Sequence, residues 1–396
     1  MTDLARPRHP LPAGASLTPP HQQPDQDPSL AVRNNGGVEP STEPAPAGRR
    51  EALLVLGFGG PEGHDDVMPF LENVTRGRGI PPERLLDVAE HYHHFGGVSP
   101  INDQNKALVA ALEAELASVG IDMPVYWGNR NWAPYVEDAW RQMAEDGIAH
   151  AYVLATSAYA SFSGCRQYHE DVARARVALE LDPTAPAGPT AEKLPHYFDA
   201  PGFVRANAEA LAAAIAALPE DVRDTARLVA TAHSIPDAMA AVAGPQGGAY
   251  EAELMRAAQL VVDAAAPGRS FDLVWQSRSG PPSVPWLEPD VNDHLRALAE
   301  SGEKAVVVFP VGFISDHLEV IWDLDNEAEE TAGELGLAFV RAGTAGTHPA
   351  FVTSLRELLE ERRAGGEPRL GTNCPASCCF IRRPGGRHRG QEPSPT

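Results

Sequence analysis

The chain has 396 residues, a formal net charge of −22 and 22% charged residues. This length allows a large buried core and favours two lobes over one. No apolar run is long enough to cross a membrane, and the polar, Pro-rich N-terminus has no signal-peptide pattern. We therefore expect no integral membrane segment and a cytoplasmic location, and the acidic body makes nucleic acid an unfavourable partner.

The first ordered segment is expected after residue 49, because residues 1–49 are rich in Pro, Gln, Ser and Gly and have no hydrophobic period. From there short apolar runs alternate with helical patterns, which indicates an α/β fold with a parallel sheet. We assign residues 50–186 to a first domain. In it, strands are predicted at Ala52–Phe58, Pro124–Gly128 and Ala151–Thr156, and helices at Asp65–Val74 and Pro134–Asp146.

A second domain is predicted at residues 187–345, after the Pro- and Ala-rich break Asp182–Thr190. The last helix, within 346–364, is expected to pack back on the first domain, and residues 365–396 form a C-terminal tail. Strands are predicted at Ala226–Ala232, Asp272–Trp275, Lys304–Val311 and Leu337–Arg341, and helices at Ala200–Leu218, Tyr250–Ala266, Val291–Ser301, His317–Leu335 and Pro349–Arg363.

Two polar residues follow predicted strands of the second domain. His233 ends the run Leu228–Pro236, and Glu319 lies in Phe309–Asp325, at the start of a predicted helix. Ligands of α/β sheets bind outside the carboxyl ends of the strands. An imidazole and a carboxylate at that edge can act as a proton acceptor, a pair of divalent-metal ligands, or both. For His233 alone, a hydrogen-bonded core histidine is the commoner interpretation.

Glu319, Asp323 and Glu327 form an acidic row, because their spacing of four residues places them along one helix face. Such a row is tolerated if water screens it or if a cation binds between its members. A solvated acidic face is the simpler interpretation of Asp323 and Glu327. Glu319 differs because apolar residues surround it in sequence, which favours partial desolvation and proton exchange.

The four cysteines are Cys165, Cys374, Cys378 and Cys379, and three of them crowd into one C-terminal segment. A cytosolic chain keeps such thiols reduced, and adjacent Cys378 and Cys379 are a poor start for disulfides. Thiolates grouped this closely fit an iron–sulfur cluster or zinc. Spacing alone leaves free thiols in a loose tail as an equal alternative.

Several aromatic and hydroxyl-bearing runs suggest a flat, aromatic ligand. They are Phe95–Pro100, Ala158–Ser163, Trp275–Ser277 and Pro285–Leu287, and each is weak by itself. The chain has no dinucleotide-binding glycine motif after its first predicted strand, no P-loop and no serine nucleophile elbow. Dehydrogenase and nucleotide-hydrolysing functions therefore lose support.

Taken together, the motifs resemble the ferrochelatase family, and most closely its coproporphyrin III ferrochelatases from Gram-positive bacteria and actinobacteria. The resemblance runs from about Ala52 to Arg363 and rests on five motifs that occur in order. These are Gly57–Pro61, Gly96–Asn102, Ala232–Pro236, Trp275–Ser277 with Pro285–Asp290, and Pro310–Asp325. The resemblance implies two Rossmann-like domains, each a parallel sheet flanked by helices, with a porphyrin cleft between them.

The resemblance also implies roles for single residues. His233 and Glu319 match the family's catalytic histidine and glutamate and are expected to contact the metal, and Asp323 and Glu327 match an outer acidic row proposed to relay metal. Phe58 stands where some relatives carry a metal-contacting tyrosine, which leaves no oxygen ligand on that side. The residues expected to line the porphyrin are Phe58, Arg76, Ser99, Ser163, Tyr168 and Trp286.

The expected function is insertion of Fe²⁺ into coproporphyrin III, which gives Fe-coproporphyrin III in haem biosynthesis. The alternatives are insertion into protoporphyrin IX, use of another metal such as Co²⁺, and a non-catalytic haem or metal carrier. The four cysteines also resemble those of relatives with a [2Fe–2S] cluster, which favours a cluster at this site, with zinc as the competing occupant. Porphyrin and Fe²⁺ are the expected partners, and other haem-pathway enzymes are candidates.

Overall fold

The apolar runs of the chain form two separate parallel sheets. The computed structural model describes residues 50–76, 80–280, 283–367, 369–372, 374, 375, 378 and 379. The predicted tail 1–49 and much of the predicted tail 365–396 lie outside these ranges. Within them, two four-stranded sheets are flanked by helices, so the predicted α/β class with two parallel sheets is confirmed.

The first sheet has the strand order β2-β1-β3-β4, and all of its neighbouring strands are parallel. Its central strands β1 and β3 are almost wholly buried, which explains their continuous apolar sequence. The strands are β1 (Glu51–Gly57), β2 (Val125–Asn129), β3 (His150–Ala155) and β4 (Thr190–Lys193).

We call the part of the chain that contains the first sheet the first half, and the part that contains the second sheet the second half. Five helices belong to the first half, and three of them have no counterpart in the prediction. They are α1 (Val67–Val74), α2 (Pro82–His94), α3 (Ile101–Ser118), α4 (Val136–Glu145) and α5 (Gln167–Glu180), of which α2, α3 and α5 were missed. Strand β4 was also missed. Because β4 pairs with β3, the first sheet continues past residue 186, and the predicted domain division stays a prediction.

The second sheet repeats this pattern with the order β6-β5-β7-β8, again all parallel. Its strands are β5 (Arg227–His233), β6 (Phe271–Gln276), β7 (Ala305–Phe309) and β8 (Ala338–Arg341). The helices up to β7 are α6 (Pro201–Ala217), α7 (Glu220–Arg223), α8 (Asp237–Ala240), α9 (Ala249–Ala265) and α10 (Val291–Glu300). The predicted strands and helices of this half are confirmed, with ends shifted by one or two residues.

The helix predicted at His317–Leu335 is present, and it is a composite of three consecutive helical segments. It comprises α11 (Leu318–Val320), a π-helix (Ile321–Ala328) and α12 (Glu329–Glu334), and we call it the composite helix 318–334. π-Helical turns are rare and occur frequently at functional sites. The last helix, α13 (Pro349–Arg363), packs against both α6 and α3.

A continuous hydrophobic core joins the two halves. It includes Leu53 of β1 and Leu228 of β5, together with Phe203 of α6 and Phe351 of α13. The rings of Phe203 and Phe351 meet edge to face, with centroids 5.5 Å apart. A smaller cluster packs α1 and α2 against Leu318, the first residue of the composite helix.

Candidate active site

His233 is the last residue of β5, at the carboxyl edge of the second sheet. Its Nδ1 donates a hydrogen bond to the carbonyl oxygen of Ser234, with a distance of 2.5 Å. In the neutral imidazole this leaves the lone pair on Nε2. Nε2 lies 4.0 Å from Oε2 of Glu319, so the structure brings the two predicted catalytic residues together.

Close packing of the β5 and β7 ends supports this arrangement. The amide of Gly312, in the loop after β7, donates to the carbonyl oxygen of Thr231 at 3.0 Å. A Cβ atom on Gly312 would lie 2.5 Å from Cβ of Ala232, so a larger residue would push the loop away from β5. Glycine is therefore required at position 312, because the loop after β7 approaches β5 closely at Ala232, the residue before His233.

Glu319 projects from the first turn of the composite helix, between buried Leu318 and Val320. Its side chain is 45% exposed, and its Oε2 faces Nε2 of His233. Desolvation raises the pKa of the Glu319 carboxyl above its ordinary value. A carboxylate that remains accessible and has a raised pKa is suited to accepting a proton.

Asp323 lies one turn further along the same helix and is held by β6. It accepts hydrogen bonds from Nε2 of Gln276, at 3.2 Å, and from the hydroxyl of Ser277. Desolvation raises its pKa to about 7, with Glu319 and Glu327 adding to the rise and Ser277 opposing it. Near neutral pH this carboxyl therefore exchanges protons readily.

Glu327 ends the acidic row and accepts a hydrogen bond from the indole nitrogen of Trp322 at 2.8 Å. The indole of Trp322 stacks on the imidazole of His91 in α2, with centroids 4.0 Å apart and planes 10° apart. Within the described ranges, no three His, Cys, Asp or Glu side chains form a group that could hold a metal ion. The metal-binding roles of His233, Glu319, Asp323 and Glu327, and a cluster or metal held by the four cysteines, therefore stay predictions.

Three of the predicted lining residues converge on Arg130, which follows β2. The guanidinium of Arg130 lies over the rings of Tyr168, at 4.7 Å, and Phe58, at 5.9 Å. It also donates to the carbonyl oxygen of Ser163 at 3.2 Å and forms a buried ion pair with Asp171. The structure thus gathers Phe58, Ser163 and Tyr168 around one buried cation.

The other three lining residues lie apart from this group. Ser99 is 5% exposed, and its side chain packs against Gly60 after β1. Trp286 forms a β-bridge with Pro236, beside the turn that follows His233. Arg76 follows α1, is exposed, and lies close enough to Tyr135 to affect the pKa of that phenol.

The four cysteines come together at the end of the described chain. Cys165 lies in a π-helical turn, Phe162–Arg166, and hydrogen bonding with Cys165 lowers the pKa of Cys374 to about 5. The Sγ atoms of Cys378 and Cys379 are 3.8 Å apart, and the Sγ of Cys379 accepts the amide of Gly244 at 3.1 Å. Sequence spacing could not establish this convergence, because Cys165 is far from the others in the chain.

The segment before these cysteines is docked on the first half. The carbonyl oxygen of Gly371 accepts hydrogen bonds from His169 of α5 at 3.0 Å and from Lys193 of β4 at 3.4 Å. The amide of His196, in the connection to α6, donates to the carbonyl oxygen of Leu370 at 2.9 Å. Only the bond between Cys379 and Gly244, among the contacts described here, reaches the second half.

The ferrochelatase family model matches residues 50–363 of the chain. The chain belongs to the ferrochelatase family. Similar proteins are the coproporphyrin III ferrochelatases of Nocardia farcinica, 56% identical over 84% of this chain and 97% of that protein, and of Mycolicibacterium smegmatis, 57% identical over 81% and 92%. That of Streptomyces griseus is 51% identical over 86% of this chain and 96% of its own length. The resemblance predicted from five motifs is confirmed.

For a member of the ferrochelatase family, sequence analysis missed two residues of the site. Arg130 lies two residues after the end of a predicted strand, Pro124–Gly128, and that position at the carboxyl edge was the signal available. His317 precedes the composite helix, and burial next to His233 lowers its pKa to about 3, so its imidazole is neutral. None of the helices in the described ranges combines the length and apolar character that a bilayer-crossing helix requires.

Proposed function

We propose that this protein inserts Fe²⁺ into coproporphyrin III and releases Fe-coproporphyrin III. The observation that carries the proposal is the pair formed by His233 and Glu319, whose Nε2 and Oε2 atoms are 4.0 Å apart at the carboxyl edge of the second sheet. Membership of the ferrochelatase family and the names of the similar proteins support the same activity.

Metal insertion requires two pyrrole N–H protons to leave as Fe²⁺ enters. Nε2 of His233 carries a lone pair, because Nδ1 donates to the carbonyl oxygen of Ser234. A proton accepted there can pass to Glu319 and then to Asp323, whose pKa of about 7 allows release to water near neutral pH. Imidazole and carboxylate also suit Fe²⁺ as ligands, so the acidic row can deliver the metal substrate.

Coproporphyrin III carries four propionates, whereas protoporphyrin IX carries two. Each propionate can accept charge-assisted hydrogen bonds, of about 1.5–3 kcal/mol before desolvation. We propose that the exposed cation Arg76 binds a propionate of the porphyrin. The residues proposed to line the porphyrin beside it are Ser99, Ser163 and Trp286. Arg130 holds Phe58 and Tyr168 in place, so we include it as a positioning residue for the ring-binding wall.

A carrier that binds haem or metal without catalysis is the alternative from another class. Such a carrier has no use for a proton acceptor with a raised pKa facing an imidazole. The pairing of His233 with Glu319, together with the raised pKa values of Glu319 and Asp323, therefore favours catalysis.

We extend the proposal to a [2Fe–2S] cluster held by Cys165, Cys374, Cys378 and Cys379. Such a cluster takes four thiolates, two for each iron. The sulfurs interact in sequence, from Cys165 to Cys374 and on to Cys378 and Cys379, which fits a shared group. The cluster would supply an electron-accepting group that ties the C-terminal segment to the two halves.

One buried polar group near the thiols supports this fit. The hydroxyl of Thr372 has no hydrogen-bond partner among the described residues, and Thr372 is two residues from Cys374. Buried polar groups normally have partners, so a bound group with sulfur acceptors would account for this hydroxyl.

The substrate is tested by anaerobic incubation of the purified protein with Fe²⁺ and each porphyrin, followed by absorbance. We expect insertion into both at unequal rates, with the higher kcat/KM for coproporphyrin III. A higher kcat/KM for protoporphyrin IX would overturn the assignment of coproporphyrin III as substrate. Absence of metal insertion into both porphyrins would overturn the proposed activity. The domain division, a cytoplasmic location and contacts with other haem-pathway enzymes stay predictions.

A further inference from the structure

The composite helix 318–334 carries a large excess of negative charge. It contains seven acidic residues and no Lys, Arg or His. Like charges four residues apart destabilise a helix, and the Glu319–Asp323–Glu327 row contains two such pairs. Its central turns are also π-helical, a conformation that is rare in proteins. A cation from another element would therefore stabilise this helix.

Arg341, the last residue of β8, supplies that cation. Its Nε donates to Oδ1 of Asp325 at 2.6 Å, and its Nη2 donates to the other oxygen of the same carboxylate. Its Nη1 donates to Oδ1 of Asp316 at 2.8 Å. The Arg341 side chain is only 15% exposed, so water screens these bonds weakly. One guanidinium thus spans two carboxylates.

The two carboxylates lie on opposite sides of the catalytic turn in sequence. Asp316 precedes Glu319 by three residues, and Asp325 follows Asp323 by two residues. The first half of the molecule also grips this loop, because Nε2 of Gln104 donates to the carbonyl oxygen of Asp316 at 2.7 Å. Segment 316–325 is therefore held from two directions, and it carries both Glu319 and Asp323.

We propose that Arg341 is a positioning residue for metal insertion: it clamps segment 316–325 so that Glu319 faces His233 and Asp323 faces Ser277. This inference rests on the proposed function, since it assigns Arg341 a role in the same site. Arg341 binds the carboxylates of Asp316 and Asp325, so its effect on Glu319 and Asp323 passes through the backbone of the segment. Misplacement of a catalytic group by about 1 Å can cost 10²-fold in rate.

Arg341→Lys is the informative substitution. Lysine keeps the positive charge but cannot bind one carboxylate through two nitrogens while reaching a second carboxylate. The matched control is Arg227→Lys at the amino end of β5. The amino ends of the strands of this sheet lie opposite the carboxyl edge that carries the candidate site. Arg227 also binds one carboxylate through two nitrogens, with distances of 2.6 and 2.5 Å to Asp272. The control loses the same type of ion pair away from the site.

The kinetic readouts are kcat and KM for Fe²⁺, with porphyrin binding and the Tm measured for each variant. We expect Arg341→Lys to lower kcat/KM for Fe²⁺ at least tenfold and to leave the Kd for coproporphyrin III within twofold. Arg227→Lys should keep kcat/KM within twofold of wild type at a comparable loss of Tm. Equal kinetic losses in the two variants, or none in Arg341→Lys, would overturn the inference.

A second readout does not depend on turnover. Co²⁺ binding to the porphyrin-free protein can be followed by visible absorption, with Glu319→Gln as the reference for loss of the site. We expect Arg341→Lys to weaken Co²⁺ binding about tenfold relative to Arg227→Lys, and equal affinities would count against the clamp. If wild type inserts no metal, the proposed function fails, and this binding comparison still decides the role of Arg341.

Asp325→Asn provides the complementary variant if Arg341→Lys does not fold. It removes one charge from the clamp and retains the bond between Arg341 and Asp316. We expect the same kinetic signature at smaller amplitude, between twofold and tenfold in kcat/KM for Fe²⁺. Wild-type kinetics in Asp325→Asn would show that the Asp325 contact has no positioning role and would reject the clamp.

Discussion

The hydroxyl of Ser277 donates a hydrogen bond to Asp323 from a backbone in the left-handed region, with φ of 62°. Residues other than glycine rarely adopt this conformation, and it costs roughly 1–3 kcal/mol. Ser277 directly follows β6, so its strained backbone turns the hydroxyl towards the composite helix. This contact links the second sheet to the middle of the acidic row.

We expect Ser277→Ala to shift the pH dependence of metal insertion. The hydrogen bond stabilises the Asp323 carboxylate and so lowers its pKa, which burial raises to about 7. Removing the hydroxyl raises that pKa further, and the acidic limb of kcat/KM moves to higher pH. Ser277→Gly should give the same shift while relieving the backbone strain. Identical pH profiles for wild type and both variants would contradict this role.

Asp323 should also reduce the stability of the protein near neutral pH. Its folded pKa of about 7 exceeds the ordinary value of about 4, so the folded state binds the proton more tightly. Proton binding by Asp323 therefore stabilises the folded state. This contribution is fully present below about pH 4 and is lost as the pH rises to about 7. We expect Asp323→Asn to raise the free energy of unfolding at pH 8 by roughly 1–3 kcal/mol, and by less at pH 5. The upper limit is about 1.4 kcal/mol for each unit by which the pKa is raised, and partial solvent access to the side chain reduces it.

This stability effect is checked by denaturant unfolding at the two pH values. The exposed Asp65, on the turn before α1, provides the control variant Asp65→Asn, which should change stability little at either pH. A lower free energy of unfolding for Asp323→Asn than for wild type at pH 8 would show that the Asp323 carboxylate stabilises the fold, and this would contradict the prediction.

Arg76→Met should weaken porphyrin binding without loss of stability, because Arg76 is exposed. Loss of one charge-assisted hydrogen bond corresponds to about a tenfold or greater rise in KM for coproporphyrin III. The kcat should stay near wild type, since the contact is made equally before and during the reaction. Arg205→Met, at an exposed site on α6, is the control. An unchanged KM in Arg76→Met would remove Arg76 from the binding site.

Protein purified without oxygen should absorb in the visible before any porphyrin is added and should contain acid-labile sulfide. Cys374→Ser should bleach this absorption and lower the Tm, because the segment that includes Leu370 and Gly371 would lose its anchor. Colourless wild-type protein with one equivalent of zinc would replace the cluster with zinc. Colourless protein without zinc or iron would leave four free thiols.

The sequence predicted the second half of the fold more completely than the first. In the second half, apolar strands and amphipathic helices alternate regularly, so element types follow from periodicity. In the first half, α2, α3, α5 and β4 were missed. Strand β4 reads Thr-Ala-Glu-Lys, and its Glu192 is buried by an ion pair with Arg362 of α13, which only tertiary structure reveals.

The candidate site shows the same division. His233 and Glu319 could be predicted because each follows a strand at the ligand-binding edge of an α/β sheet. Their 4.0 Å approach depends on the contact of Gly312 with β5, which a single sequence cannot display. Arg130 and Arg341 were missed because an arginine at the end of a strand, or just after it, is ordinary in sequence, and the carboxylates that they bind belong to other elements of the chain.

The most direct test of the central claim compares His233→Ala and Glu319→Gln with wild type in anaerobic single-turnover metalation of bound coproporphyrin III. His294→Gln is the control, since His294 is a half-buried histidine paired with Asp272 away from the cleft. We predict that both site variants bind the porphyrin within twofold of wild type but lose at least 10²-fold in insertion rate, while the control keeps its rate. Near-normal insertion by either site variant would contradict the account.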